Sequence, residues 1–271
     1  MPSHEGEADP GVEDPQDMFI TVKTGTTVKH MKNPPYHIKD SFDFEPMYPP
    51  QEFILEESLR READRIAYQE NLMNRVVYDS IDPSPYQQGE APEGEMVPFY
   101  VPQGADDHTL LFESRFESGN LRRAIQVYEY EYDLILKPDY NTRGYTQWYY
   151  FRVSNTKAGK NYRFNIINLI KPDSLYNHGM RPLMYSDAQA KKTGRGWIRT
   201  GNDICYYQNS MKRKNQGYYY TLTWQCSFEH DKDTVYLAHS YPYTFTDLQR
   251  YLNTLEADPK RKNRMRRRTL C

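Results

Sequence analysis

The sequence predicts a mainly β protein. The expected architecture is an antiparallel β-sandwich with one C-terminal helix, preceded by an extended, proline-rich arm that carries a short helix. Three observations lead there. Apolar and polar residues alternate along several runs in the second half, turn residues rather than helices separate those runs, and one apolar stripe at helical spacing follows the last of them.

The clearest alternation is Tyr218 to Phe228. Tyr218, Tyr220, Leu222, Trp224, Cys226 and Phe228 fall on one side, and Tyr219, Thr221, Thr223, Gln225 and Ser227 on the other. Successive strand side chains point to opposite faces, so this reads as a strand with one buried and one wet face. Leu110–Phe112, Ile125–Leu136, Gln147–Val153, Tyr162–Leu169, Ile204–Tyr207 and Thr234–His239 read similarly. Between them stand Ser118-Gly119-Asn120, the stretch from Asn141 to Gly144, the stretch from Asn155 to Gly159, Asn215 to Gly217, and Asp231 to Asp233, all rich in turn formers. Parallel pairing needs longer crossovers, usually helical, so the short polar connections argue for antiparallel sheets in two layers.

After the strands, Thr246 and Gln249 have capping-box spacing. Leu248, Tyr251, Leu252 and Leu255 then recur at i, i+3, i+4 and i+7, and Asp258-Pro259 stops the helix.

The organisation divides near residue 105. Residues 1–105 form the arm, 106–258 the sandwich and 259–271 a basic tail. Prolines at 34, 35, 46, 49, 50, 83, 85, 92, 98 and 102 remove backbone donors and hold their predecessors extended. Within the arm, Phe53, Leu55, Leu59, Ala63, Ile66 and Ala67 lie near helical spacing and predict a helix near 52–70. Arg75 to Tyr78 is a short extended piece suited to pairing with a sheet edge.

Net charge is −2 and the apolar fraction 38%, so no global field favours nucleic acid or a membrane. The charge is uneven: residues 1–17 carry six acids and no Lys or Arg, whereas 260–268 carry seven basic residues. The three cysteines are too few and too odd in number for a disulfide framework, and Cys226 reads as a small core residue. No apolar run approaches a membrane span, and the acidic N-terminus is the opposite of a secretory signal, which points to a reducing, cytosolic setting.

Chemistry is sparse. From residue 106 onward no histidine opens His-x-x-Glu, and there is no Cys-x-x-Cys pair, nucleophile elbow or phosphate loop. His230 beside Asp231 and Asp233 reads as a solvated turn, and His239 as a hydrogen-bonded structural histidine. Arg195, Trp197 and Arg199 read as a glycine-flanked entry to a strand rather than a nucleic-acid patch. In Trp148-Tyr149-Tyr150-Phe151 and Tyr218-Tyr219-Tyr220, period two sends half of each cluster into the core and leaves the outward half for an interface.

Several segments together resemble one family. They are Leu111 to Leu121 (LFESRFESGNL), Gln147 to Val153 (QWYYFRV), Tyr162 to Leu169 (YRFNIINL), Lys171 to Leu175 (KPDSL), Gly179 to Pro182 (GMRP) and Tyr241 to Leu248 (YPYTFTDL). In this order they are similar to the cytosolic carboxypeptidases, zinc peptidases that trim glutamates from tubulin tails. The resemblance covers about residues 108–258 and implies the family's N-domain, a β-sandwich placed before the catalytic domain. It implies that the zinc ligands and catalytic residues belong to that later domain, absent from this chain. No catalytic, cofactor-binding or metal residue is therefore expected here, and the chain is expected not to be an enzyme on its own. Zinc is expected in the missing domain.

The partners so implied are the catalytic domain and tubulin, with neither membrane nor nucleic acid. The location so implied is cytoplasmic and associated with microtubules or cilia. The expected roles are shaping a substrate groove, supporting folding, or protein interaction; the alternative is a free-standing protein-binding module. The candidate interface residues are Trp148, Tyr241, Pro242, Tyr243, Lys260, Arg261 and Lys262.

Overall fold

The computed structural model describes residues 19–21, 27–29, 51–81, 99–142, 144–214 and 217–268. A small hairpin pairs β1 (Phe19–Thr21) with β2 (Thr27–Lys29). Helix α1 (Gln51–Ala67) follows, then β3 (Arg75–Asp79), β4 (Leu111–Glu113), β5 (Leu121–Tyr128), β6 (Glu131–Leu136), β7 (Tyr150–Ser154) and β8 (Asn161–Leu169). Next come β9 (Leu183–Ser186), α2 (Asp187–Thr193), β10 (Ile198–Arg199), β11 (Asn202–Lys212), β12 (Tyr218–Ser227), β13 (Val235–Ala238) and α3 (Phe245–Ala257).

Two sheets face each other. One runs β10-β9-β13-β7-β4 and the other β11-β12-β8-β6-β5-β3. The core between them is aromatic-rich: Leu134, Phe164, Leu222 and Trp224 from one layer meet Phe112, Phe151, Val153 and Leu237 from the other. Trp224 stacks on Tyr149 at 5.7 Å between ring centroids. A second cluster lies on the other face of the five-stranded sheet, where Tyr150, Tyr185, Trp197, Tyr236 and Phe116 pack edge to face or tilted. Strand β13 is thus buried on both sides.

The sandwich expectation holds, with corrections. One pair, β6 with β8, is parallel. Its crossover is not a helix: the chain leaves β6, contributes β7 to the opposite sheet, and returns as β8. The run Ile125–Leu136 is two strands, β5 and β6, joined by a turn at 129–130. A second short helix, α2, stands between β9 and β10, capped by the Ser186 hydroxyl and closed by Gly194 in the left-handed region. The Arg75–Tyr78 piece does pair at a sheet edge, as β3 beside β5.

The cap of α3 lies two residues earlier than its spacing suggests. Thr244 Oγ1 accepts from Asp247 N–H at 3.1 Å, and Thr244 N–H donates to the Asp247 carboxylate at 2.9 Å. Thr246 is already inside the helix, its N–H bound to Glu117 at 3.0 Å.

Edge strand β11 is closed by side chains. Tyr206 N–H donates to Asn177 Oδ1 at 2.9 Å and Tyr206 C=O accepts from Asn177 Nδ2 at 2.8 Å. Further along, Ser210 N–H donates to Glu62 of α1 at 2.7 Å.

Candidate docking surface

Helix α1 lies against the outer face of the six-stranded sheet with an unexpected side down. Its buried positions are Ile54 and Ser58, and Arg61 and Arg65 reach under it. Phe53, Leu59 and Ile66 remain 60, 45 and 53% exposed. The stripe that identified the helix in the sequence therefore faces away from the sheet.

The reason is the floor beneath it. Strand β6 presents Glu131 and Asp133 on that side, both buried. Arg61 donates to Glu131 at 2.5 Å, Arg65 pairs with Asp133, and Asn165 donates to both carboxylates at 2.9 Å. Thr223 Oγ1 donates to Asn165 Oδ1 at 2.8 Å. Burial pushes the Asp133 carboxyl up, opposed by the Arg65 guanidinium. An apolar helix face on these groups would leave buried charges unpaired, so the arginine face docks instead. The same layer corrects the wet face of β12: Thr221 and Thr223 are buried.

At the far end of the chain, α3 is amphipathic with an open apolar side. Phe245 is 69%, Leu248 38% and Tyr251 56% exposed, and Tyr243 just before the helix is 53% exposed. These four exposed side chains, close together in sequence and including the candidate residue Tyr243, make up the α3 ridge. Leu252 and Leu255 are half-buried.

The predicted interface residues separate into three settings. Trp148 is half-buried; its Nε1 donates to Ser118 C=O at 2.8 Å and its ring meets Tyr150 and His239 edge to face. Tyr241 packs on the second cluster beneath the Arg199 guanidinium, 5.5 Å from ring centroid to charge. Pro242 is buried and Tyr243 open. Lys260 and Arg261 are exposed in a turn held by Asp258, with Arg261 Nε 3.3 Å from that carboxylate. Lys262 begins the 3₁₀ turn Lys262–Arg264, and its side chain lies outside the described residues. Phe245, Leu248 and Tyr251 were not singled out as interface residues from sequence, although the helical stripe that contains Leu248 and Tyr251 was visible.

His239 and His230 make hydrogen bonds within the fold. His239 follows β13 and its Nδ1 lies 3.0 Å from the Tyr176 hydroxyl, which is 2.7 Å from the Tyr149 hydroxyl. Burial, with Arg199 and Lys171 nearby, lowers the His239 pKa to about 4. His230 Nε2 bonds Gln189 at 3.0 Å. Asp231 accepts from Ala158 N–H and Lys157. Asp233, expected in a solvated turn, is buried and accepts from Ala188 N–H at 3.0 Å and from the Ser186 hydroxyl. These three side chains thus turn to different partners.

Among the described residues no three His, Cys, Asp or Glu side chains gather to hold a metal ion. The described residues do not fit a zinc ligand set. His4 and Glu7 do stand at His-x-x-Glu spacing, in the acidic N-terminal run outside the described residues. Cys205 and Cys226 are buried and not in a disulfide, and burial pushes the Cys226 thiol up to about 12.

The fold defines the class, a β-sandwich domain of two facing sheets with one partly open helix. Residues 112–240 match the cytosolic carboxypeptidase N-terminal domain. It is 49% identical over 178 residues to Cytosolic carboxypeptidase 3 of Bos taurus, covering 66% of this chain and 18% of that protein. It is 51% identical over 169 residues to Cytosolic carboxypeptidase 2 of Homo sapiens, 62% of this chain and 19% of that one. Against Cytosolic carboxypeptidase 1 of Mus musculus it is 38% identical over 273 residues, 94% of this chain and 21% of the relative. The chain thus spans about a fifth of the length of the curated relatives it matches.

Among solved structures, a metallo-carboxypeptidase from Pseudomonas aeruginosa is 20% identical with TM-score 0.34, over 53% of this chain and 33% of that one. One from Burkholderia cenocepacia is 18% identical with TM-score 0.40, over 56% and 34%. Likeness at that level adds nothing to the fold already described. No helix among the described residues is long and apolar enough to cross a membrane.

Proposed function

We propose that this chain is the non-catalytic N-domain of a cytosolic zinc carboxypeptidase, and that its α3 ridge packs against the catalytic domain. The ridge itself carries the proposal. Phe245, Leu248 and Tyr251 on one capped helix and Tyr243 just before it are large apolar side chains, more than a third exposed, and aromatic residues of this kind anchor protein interfaces. The half-buried Trp148 and Tyr241 and the buried Pro242 precede it in the chain. The activity so served is removal of glutamates from tubulin tails, with zinc held by the catalytic domain. The sandwich shapes one wall of the groove and supports its neighbour's folding. The exposed Lys260 and Arg261, with Lys262, steer acidic tails at a range limited by a Debye length of about 8 Å at physiological salt. The setting is the cytoplasm, at microtubules.

The test mixes this chain with the separately expressed C-terminal portion of the human Cytosolic carboxypeptidase 2 relative. The expected result is a complex by size-exclusion chromatography, lost in the double variant Phe245→Ser/Tyr251→Ser. No complex at any salt concentration overturns the docking reading. Incubated alone with zinc and a glutamylated tubulin peptide, the chain should release no glutamate; zinc-dependent release would overturn the non-catalytic reading. A second reading, a free-standing microtubule-binding module, predicts co-sedimentation with microtubules in the absence of any catalytic partner.

A further inference from the structure

The two outer faces of the sandwich carry helices of opposite character. Helix α1 covers the six-stranded sheet and turns Arg61 and Arg65 inward, onto Glu131 and Asp133. What remains outside is apolar and acidic. Phe53, Leu59 and Ile66 on the helix, with Tyr68 and Met73 just after it, are 45 to 60% exposed. Glu52, Glu56, Asp64 and Glu70 stand exposed among them, and over residues 52–73 Arg60 is the one exposed base.

Helix α3 stands on the opposite layer. It follows Tyr241, which packs on the second cluster outside the five-stranded sheet, and Thr246 N–H binds Glu117, the neighbour of Phe116 in that cluster. Its open side is the ridge of Tyr243, Phe245, Leu248 and Tyr251. The charge beside this ridge is basic. Arg267 Nη1 donates to Asn253 at 2.8 Å and lies 3.7 Å from Glu256, which folds the tail back along the helix. Lys260, Arg264, Arg266 and Arg268 are exposed on that tail and have no carboxylate partner among the described residues.

We propose that the partner of α1 is a second copy of this chain: the α3 ridge of one molecule packs on Phe53, Leu59 and Ile66 of the next, with its basic tail against Glu52, Glu56, Asp64 and Glu70. Apolar burial supplies the attraction, and charge complementarity decides which face meets which. Because α1 and α3 stand on opposite layers, the contact joins unlike faces, head to tail. Each added molecule presents a fresh α1 or a fresh α3, so the assembly grows open-ended instead of closing as a two-fold pair. This use of the ridge and its docking to a catalytic domain exclude each other, so the stack belongs to the chain without that neighbour.

Analytical ultracentrifugation of the full 271-residue chain over a concentration series tests this. The weight-average mass should rise continuously past that of a dimer, and added salt should lower it. Glu56→Lys/Asp64→Lys on α1 and Arg264→Glu/Arg268→Glu on the tail should each weaken association about tenfold or more, since like charges then face each other. Mixed in equal amounts, the two variants should associate again, because a basic α1 then meets an acidic tail. Ile66→Ser keeps every charge and should also weaken association. A chain that stays monomeric, a mass that levels off at the dimer, reversals without effect, or a mixture that does not recover would each overturn the proposal. The α1 reversal should leave the complex with a relative's C-terminal portion intact, so the stacking and docking readings fail separately.

Discussion

Arg65 of helix α1 pairs with Asp133 of strand β6, 68 positions away in the chain, beneath a helix whose Phe53, Leu59 and Ile66 face outward. That pair, with Arg61 on Glu131, is what attaches the first helix to the sandwich.

Removing the arginine alone leaves a buried carboxylate without its counter-charge. Arg65→Ala should therefore cost about 3 kcal/mol, within the range for breaking a buried pair from one side. Replacing both partners, as Arg65→Leu/Asp133→Leu, should recover most of that loss. Urea denaturation of the three proteins checks this, and an Arg65→Ala midpoint equal to that of the parent would sink the buried-pair account.

The His239 environment sets an acid limit. Its folded pKa is about 4 against an ordinary value of 6.5, so between those values the unfolded chain binds a proton that the folded chain does not. Stability must then fall as pH is lowered from about 6.5 toward 4, by up to roughly 3 kcal/mol if the whole shift is realised. His239→Gln, which cannot charge, should flatten the stability profile over that window. A variant with the same slope as the parent would rule out His239 as its source.

Two neighbouring turn residues should respond in opposite senses. A Cβ on Gly119 would meet the Ser114 carbonyl oxygen at 2.3 Å, a clash with backbone that cannot swing aside. Ser118 stands at φ 65°, a conformation glycine adopts freely. Gly119→Ala should destabilise by more than about 1 kcal/mol, whereas Ser118→Gly should cost little or add a few tenths. Thermal melts of the pair decide it; equal shifts would contradict the geometry.

The α3 ridge should govern solubility more than stability. Phe245→Ser/Tyr251→Ser removes exposed apolar surface and should reduce self-association in light scattering at high concentration. The unfolding midpoint should move little, within about 0.5 kcal/mol per substitution. A large loss of stability would mean that the ridge packs on its own sandwich.

Much of the sandwich was legible because alternation is a local signal. Leu222, Trp224 and Cys226 go to the core as their spacing demands. What failed was non-local. Thr221 and Thr223 read as wet because nothing near them in sequence announces that α1 covers their face. The spacing in the same helix reports which residues share a face and not what the opposing sheet offers. Here the sheet offers Glu131 and Asp133, and two arginines outcompete Phe53, Leu59 and Ile66 for the contact. The parallel β6–β8 pair was hidden because its crossover is a strand of the other sheet. For the candidate interface, Tyr243 was visible in the tyrosine-proline run, but Leu248 and Tyr251 were read as helix-forming residues and Phe245 only as part of the run Tyr241 to Leu248, none of them as a surface.

The carboxamide of Asn177 occupies both outward backbone groups of Tyr206, as a neighbouring strand would. At that point β11 offers no template on which another polypeptide can register, and Glu62 repeats the blockade at Ser210. An unpaired sheet edge is a site where β domains polymerise, and here two side chains block two such positions along β11. Asn177→Ala would reopen a growth point for fibrils without touching the core.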